Sequence, residues 1–303
     1  MAPEKKPEAE RNGYWPEYEP LFKRLERLAP MAGAPSRMEA LLLAHRARDE
    51  ERLVVLEKVV AIGEKIGGAA GQAYVRAVLA TGDFAALTKD AIPEFAQKIG
   101  QEAACDWLWA IVTTGAVDVL TSDTVLGSPE LVRRIPAGAT AMLFWAIGET
   151  GAADKLLRED VAGLAESFGA AFANAHFAAI GRTKEAGKLT EDSVIRFARA
   201  LGLNAARVHF EVISATGKVD ELTDYRVLGS YKFMLAMGSA AAREYLWVLA
   251  ETDKIGRERL TSKEVCSSRS TIRKLKNLEP EQYPKFFEHI AKTGKVQDVE
   301  EYS

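Results

Sequence analysis

Apolar residues along this chain recur in a fixed relation to threonine. Thr81, Thr114, Thr150, Thr183, Thr216, Thr252 and Thr293 stand 33, 36, 33, 33, 36 and 41 residues apart, and glycine follows five of the seven. Three residues before them are Val78, Ile111, Ile147, Ile180, Ile213, Leu249 and Ile290; six before are Val75, Leu108, Phe144, Phe177, Phe210, Leu246 and Phe287. Positions three apart share one face of an α-helix, so each threonine closes an amphipathic helix. Small residues lie ten and eleven back (Ala103 and Ala104, Ala205 and Ala206, Ala241 and Ala242), where helices could approach closely. After the threonine comes a leucine (Leu87, Leu120, Leu156, Leu189, Leu222, Leu260), and five residues further a β-branched residue (Ile92, Val125, Val161, Val194, Val227, Val265).

Each unit therefore reads as two short helices. Thr88, Thr121, Thr190, Thr223 and Thr261 are placed to cap the start of the first. Glycines such as Gly100, Gly169 and Gly202 end it, and the second helix ends at the Thr-Gly pair in a left-handed cap. Two three-turn helices cannot bury a core alone, so neighbours must stack. The expected fold is all-α: a right-handed α-solenoid of about seven two-helix repeats of 33–36 residues over residues 51–303. A superperiod of 102 residues, three repeats, relates Thr81 to Thr183, Thr114 to Thr216 and Thr150 to Thr252. Val125–Ser128 and Val227–Ser230, both Val-Leu-Gly-Ser, obey it. Residues 1–50 hold six of the eleven prolines and form a separate segment, with helices expected over Phe22–Ala29 and Arg37–Leu56 as a cap. The ends of such a stack could also join copies of the chain.

Asp192-Ser-Val-Ile-Arg-Phe-Ala-Arg-Ala-Leu-Gly202, within residues 190–217, resembles the Asp…Val…Arg…Ala…Ala-Leu-Gly pattern of short bacterial and archaeal HEAT-like repeats. The resemblance implies a curved helical stack with a ligand-binding concave face, and no particular substrate.

Composition narrows the partners. At 303 residues, 48% hydrophobic and 27% charged, the chain has the make-up of a globular protein, and its net charge of −3 speaks against a dedicated nucleic-acid binder. Two cysteines and four histidines make neither a disulfide framework nor a zinc site, so no metal or cofactor is expected. The first twenty residues lack the apolar core of a secretory signal, and the longest apolar run, Ala137–Gly148, is short of the ~20 residues that cross a bilayer. A cytoplasmic protein without membrane contact is the expectation.

Among local motifs, Gly181-Arg-Thr-Lys-Glu-Ala-Gly-Lys188 mimics a phosphate loop but has the wrong glycine spacing and no following hydroxyl. His176 and His209 share a position seven before the threonine that Tyr74, Trp107, Leu143, Tyr245 and Phe286 hold elsewhere, which marks a packing site over a metal site. Five before the threonine stand Trp109, Trp145 and Trp247, about 160° around the helix from the buried stripe and so expected outside. With Asp106, Met142 and Glu149 they form the candidate binding face, unless the segment carrying Tyr14, Trp15 and Tyr18 folds over it. The expected function is a non-enzymatic scaffold for a protein or peptide. The alternative is nucleic-acid binding through the basic cluster Arg269, Arg273, Lys274 and Lys276, joined by Lys263. A third reading, acid/base chemistry at Asp106 beside Trp109, has no nucleophile or metal to support it.

Overall fold

A computed structural model describes residues 18–31, 33–44 and 49–296, and all regular structure among them is helical, with no strand. The chain divides into two compact units after Pro129. In the first, the amphipathic helix Glu19–Leu28 buries Leu21, Phe22 and Leu25 and packs on Asp49–Ile66. Gly68–Thr81 lies between Asp49–Ile66 and Gln101–Thr114. In the second, Thr140–Thr150 packs on Ala170–Thr183, that on Asp192–Thr216, that on Ser239–Glu251, and that on Tyr283–Thr293. This last helix buries Phe286, Phe287 and Ile290 and turns Lys285, Glu288 and Lys292 to solvent.

Burial follows the threonine register without exception. All fourteen side chains three and six residues before the seven threonines are 0% exposed. The leucines after the threonine and the β-branched residues beyond them are buried too.

Between threonines there is a further element beyond the two expected. A short helix comes first, of one turn at Phe84–Leu87, Val117–Leu120, Ala153–Leu156, Ala186–Leu189 and Val219–Leu222, and longer at Lys254–Leu260. Four residues are too few to show a helical period, which is why the pattern concealed it. This element reassigns Thr88, Thr121, Thr190, Thr223 and Thr261. They end the short helix instead of starting the next, each hydroxyl donating to the carbonyl four residues back, as Thr121 does to Val117 O at 2.9 Å. The start is capped one residue later, by Ser122 accepting from Val125 N and Ser262 from Val265 N. In the Val-Leu-Gly-Ser intervals the first long helix is broken in two, Asp123–Leu126 with Pro129–Arg134 and Tyr225–Gly229 with Tyr231–Met237, which absorbs the extra residues.

The recurring threonine itself closes the long helix. Thr114 Oγ1 donates to Ala110 O and accepts from Ala116 N, and the same pair of bonds recurs at Thr81, Thr150, Thr183, Thr216 and Thr293. The next residue turns left-handed and donates its N–H to the buried stripe, as Gly115 (φ 68°) does to Ile111 O. In the fourth interval Lys184 takes that conformation at φ 61°, the one non-glycine positive φ among the described residues.

A second recurring bond ties the long helix to the short one. Seven residues before the threonine, Tyr74 OH, Trp107 Nε1, His176 Nε2 and Tyr245 OH lie 3.1, 2.9, 3.0 and 3.3 Å from the carbonyls of Leu87, Leu120, Leu189 and Leu260. Those carbonyls are in the last turn of a helix too short to satisfy them. Cations then link one interval to the next: Lys58 to Asp90 at 3.2 Å, Arg158 to Asp192 at 3.0 Å, Lys188 to Asp220 at 2.8 Å and Arg226 to Glu258 at 2.6 Å. These are exposed and individually weak.

A side chain in the left-handed region costs roughly 1–2 kcal/mol that glycine avoids. Lys184→Gly is therefore expected to stabilise the chain by about 0.5–1 kcal/mol after glycine's larger entropic loss. Urea unfolding of the two proteins measures it, and a loss of stability would show that the ion pair of Lys184 with the half-buried Glu149 outweighs the strain.

Candidate functional site

The three tryptophans of the expected face occupy different environments. Trp109, on Gln101–Thr114, is 41% exposed, with the guanidinium carbon of Arg76 5.4 Å from its ring centroid. Arg76 holds the equivalent position one interval earlier, so two successive long helices supply the pair. Cys105 lies beside them, half-buried. Burial and then Asp106 push its thiol pKa up, while Arg76 and a hydrogen bond from Trp109 act against the shift. Asp106 is half-buried on the same helix. The arrangement fixes an indole at the surface with a cation over it and an acid one turn away, which suits contact with a mixed polar and apolar partner.

Trp145 is half-buried, and its position corrects the expectation of an outward ring. A methyl group built on Gly181 would stand 2.3 Å from Trp145 Cζ3, so the indole lies directly on the bare backbone of the neighbouring helix Ala170–Thr183. The angular estimate located the position relative to its own helix's core stripe. It took no account of the next helix on the flank, over which a ring this large reaches. The sequence did hold a signal: Gly181, one interval after Trp145, is a helix-interior glycine with no turn to make. Glu149 is paired with Lys184 at 3.4 Å, and Met142 is half-buried on the same helix. Trp247 is half-buried as well; the next residue, Val248, lines with Glu251, Thr252, Glu288, Ala291 and Lys292 an open groove of about 190 Å³. Trp109 and Asp106 belong to the first unit, and Met142, Trp145, Glu149 and Trp247 to the second.

Tyr14 and Trp15 lie outside the described residues, so the expectation that they cover the tryptophans does too. Tyr18 is buried against Phe22, with ring centroids 5.9 Å apart. In the basic cluster Arg269, Arg273 and Lys276 are exposed, while Lys274 Nζ donates to Val296 O at 3.3 Å. Sequence reasoning passed over Tyr225 and Ile255, which are 72% and 58% exposed. They occupy positions where the register asks for no buried residue, and that was the available signal.

The two histidines are packing residues. Both are fully buried in an aromatic cluster with Phe172, Phe177, Phe197 and Phe210, and His176 donates to Leu189 O. Neither ring nitrogen of His209 has a hydrogen-bond partner among the described residues. Burial lowers the pKa of His176 to about 4 and that of His209 to about 3, the latter helped by His176. Among the described residues no three His, Cys, Asp or Glu side chains gather as a metal site, and no helix is long and apolar enough to cross a membrane. No protein-family model, curated protein or solved structure matches the chain.

Two outcomes follow. The unfolded chain protonates both histidines near pH 6.5 while the folded one resists down to about 4, so stability is highest above pH 6.5 and falls as pH drops. His209→Leu, with the residue found at the same position in Leu143, is expected to remove about 2 kcal/mol of that decline between pH 7 and 5. Urea titrations at the two pH values measure it, and parallel declines in both proteins would refute it. Gly181→Ala is expected to cost roughly 1–3 kcal/mol by overpacking against Trp145. Trp145→Leu should relieve most of that cost in a double-mutant cycle, and additive effects would show that the ring is not what fills the notch.

Proposed function

We propose that the chain is a cytoplasmic helical-repeat solenoid of HEAT-like architecture that serves as a binding scaffold. It engages a protein or peptide partner, without catalysis, on the outward face of its long helices around Trp109. The observation that carries this reading is Trp109: a large ring left exposed, yet held under Arg76, on a helix that buries Trp107, Leu108 and Ile111. Aromatic residues fixed in place before binding make strong anchors, because little conformational entropy remains to be lost. The identical burial register in every interval supports the repeat architecture. The charges around Trp109 are mixed, with Arg76 and Asp106 in the same unit, which favours a polypeptide over a polyanion.

Trp109→Ala is expected to weaken a captured partner by about 30-fold, the cost of a hot-spot aromatic, while Trp145→Ala weakens it little. The measurement is affinity capture followed by titration of the recovered partner against each variant, with circular dichroism to confirm folding. Binding indifferent to Trp109 would place the partner elsewhere and end this reading.

A further inference from the structure

Charge in the second unit is distributed in two regimes. From Glu130 to Arg226 most cations meet carboxylates: Arg134 meets Glu159 and Glu166, Arg158 meets Asp160 and Asp192, Lys188 meets Glu185 and Asp220, and Arg226 meets Glu258, while Arg182, Arg196 and Arg199 bond a hydroxyl or backbone carbonyls. Between Lys254 and Lys276 there are eight Lys or Arg against two acids, on a chain of net charge −3. One of the two acids, Glu258, is already taken by Arg226. Two of the cations hold backbone, Arg257 to Thr252 O and Arg259 to Ala291 O. Lys263, Arg269, Arg273 and Lys276 are exposed and make no ion pair among the described residues, while Lys254, also exposed, adds its charge to that of Arg226 at Glu258. Exposed like charges in one short segment repel one another, and a polyanion that releases its counterions on binding relieves that repulsion.

The same edge carries two exposed apolar side chains. Tyr225, 72% exposed, starts the helix Tyr225–Gly229, and Ile255, 58% exposed, follows Lys254 at the start of Lys254–Leu260. Between these helix starts runs a groove of about 140 Å³ lined by Asp224, Arg226, Val227, Lys254, Arg257, Glu258 and Thr261. Arg226 holds the tyrosine in place, its Nε donating to Tyr225 OH at 2.9 Å and its guanidinium carbon 5.4 Å from the ring centroid. The register makes Lys263 the counterpart of Tyr225 one interval on, each two residues after a hydroxyl that closes the short helix (Thr261, Thr223). Arg269–Leu275 packs on Tyr231–Met237, which brings its cations beside the same interval.

We propose that this edge, Tyr225, Ile255, Lys254 and Lys263 continued by Arg269, Arg273 and Lys276, binds single-stranded nucleic acid. The cations take the phosphates and the fixed ring takes the face of a base, a surface that a duplex hides inside its stack. An acidic polypeptide would satisfy the cations, but it carries no run of flat rings beside its charges as a single strand does. The proposal is independent of the Trp109 face, which lies in the other unit.

The test is fluorescence anisotropy of the full chain with labelled 20-nucleotide oligo-U and oligo-dT, the matching duplexes, and polyglutamate as competitor. Both single strands are expected to bind in the micromolar range at low salt, with a log–log salt slope of about −3.5 for five phosphate contacts. Arg269→Gln with Arg273→Gln and Lys276→Gln should weaken binding at least tenfold and reduce the slope by about 2. Tyr225→Ala should weaken single strands about tenfold and duplex little, and Trp109→Ala should change neither. Three results would overturn the proposal: no binding at low salt, equal affinity for duplex that Tyr225→Ala does not alter, or displacement by polyglutamate as potent as by the unlabelled strand. Unequal binding of oligo-U and oligo-dT supports it and tells RNA from DNA.

Discussion

The packing depends on one narrow stripe. Each long helix buries the side chains three and six residues before its threonine, and the helix is only about three to four turns long, so nothing within it can cover them. Neighbouring helices must do so, and the register of every other element follows. Small residues at the helix starts, Ala103 and Ala104 or Ala241 and Ala242, let the neighbours come close, and leucines from the short helices close the ends of the stripe. An interval can gain three residues, as at Val-Leu-Gly-Ser, because the break falls in the first long helix and leaves the stripe in phase.

Polar groups in the core answer to the backbone. The short helix ends in carbonyls that its own turn cannot satisfy, and one side chain on the long helix meets that need in four intervals. Tyrosine, tryptophan and histidine all serve, since the demand is for a donor at one place and not for a particular ring. Where the position holds Leu143 or Phe286 the bond is absent and the packing remains. His209 shows what separates the two demands: it fills the aromatic volume without making the bond, and its depressed pKa records the cost of charging a ring so placed.

The stripe was legible in the sequence because aliphatic side chains at a fixed offset have one physical explanation. Fourteen positions read from spacing are fourteen buried residues. The left-handed glycine caps were legible for the same reason, since Thr-Gly after an amphipathic run satisfies a specific backbone requirement. The short helix was not, and its absence from the reading moved Thr88 and Thr121 from the end of one helix to the start of another. The candidate face was only partly legible. An angle measured around one helix says which way a Cβ points, but the exposure of a tryptophan depends on what the adjacent helix offers beneath it.

Trp109 and Trp145 illustrate that difference. They share a position, a residue type and the same distance to the stripe, yet one is 41% exposed beneath an arginine and the other rests on a glycine backbone. A glycine inside a helix costs about 1 kcal/mol relative to alanine, so Gly181 is explained by the ring above it and the ring by the notch below. That reciprocity marks Trp145 as packing. Trp109 has no such partner within its own unit. What holds it is a cation, whose attraction to the ring persists in water, and a thiol at its edge. An indole fixed by polar neighbours and left open to solvent keeps its apolar surface available, and that availability, more than the residue type, distinguishes a binding position from a core position that reaches the surface.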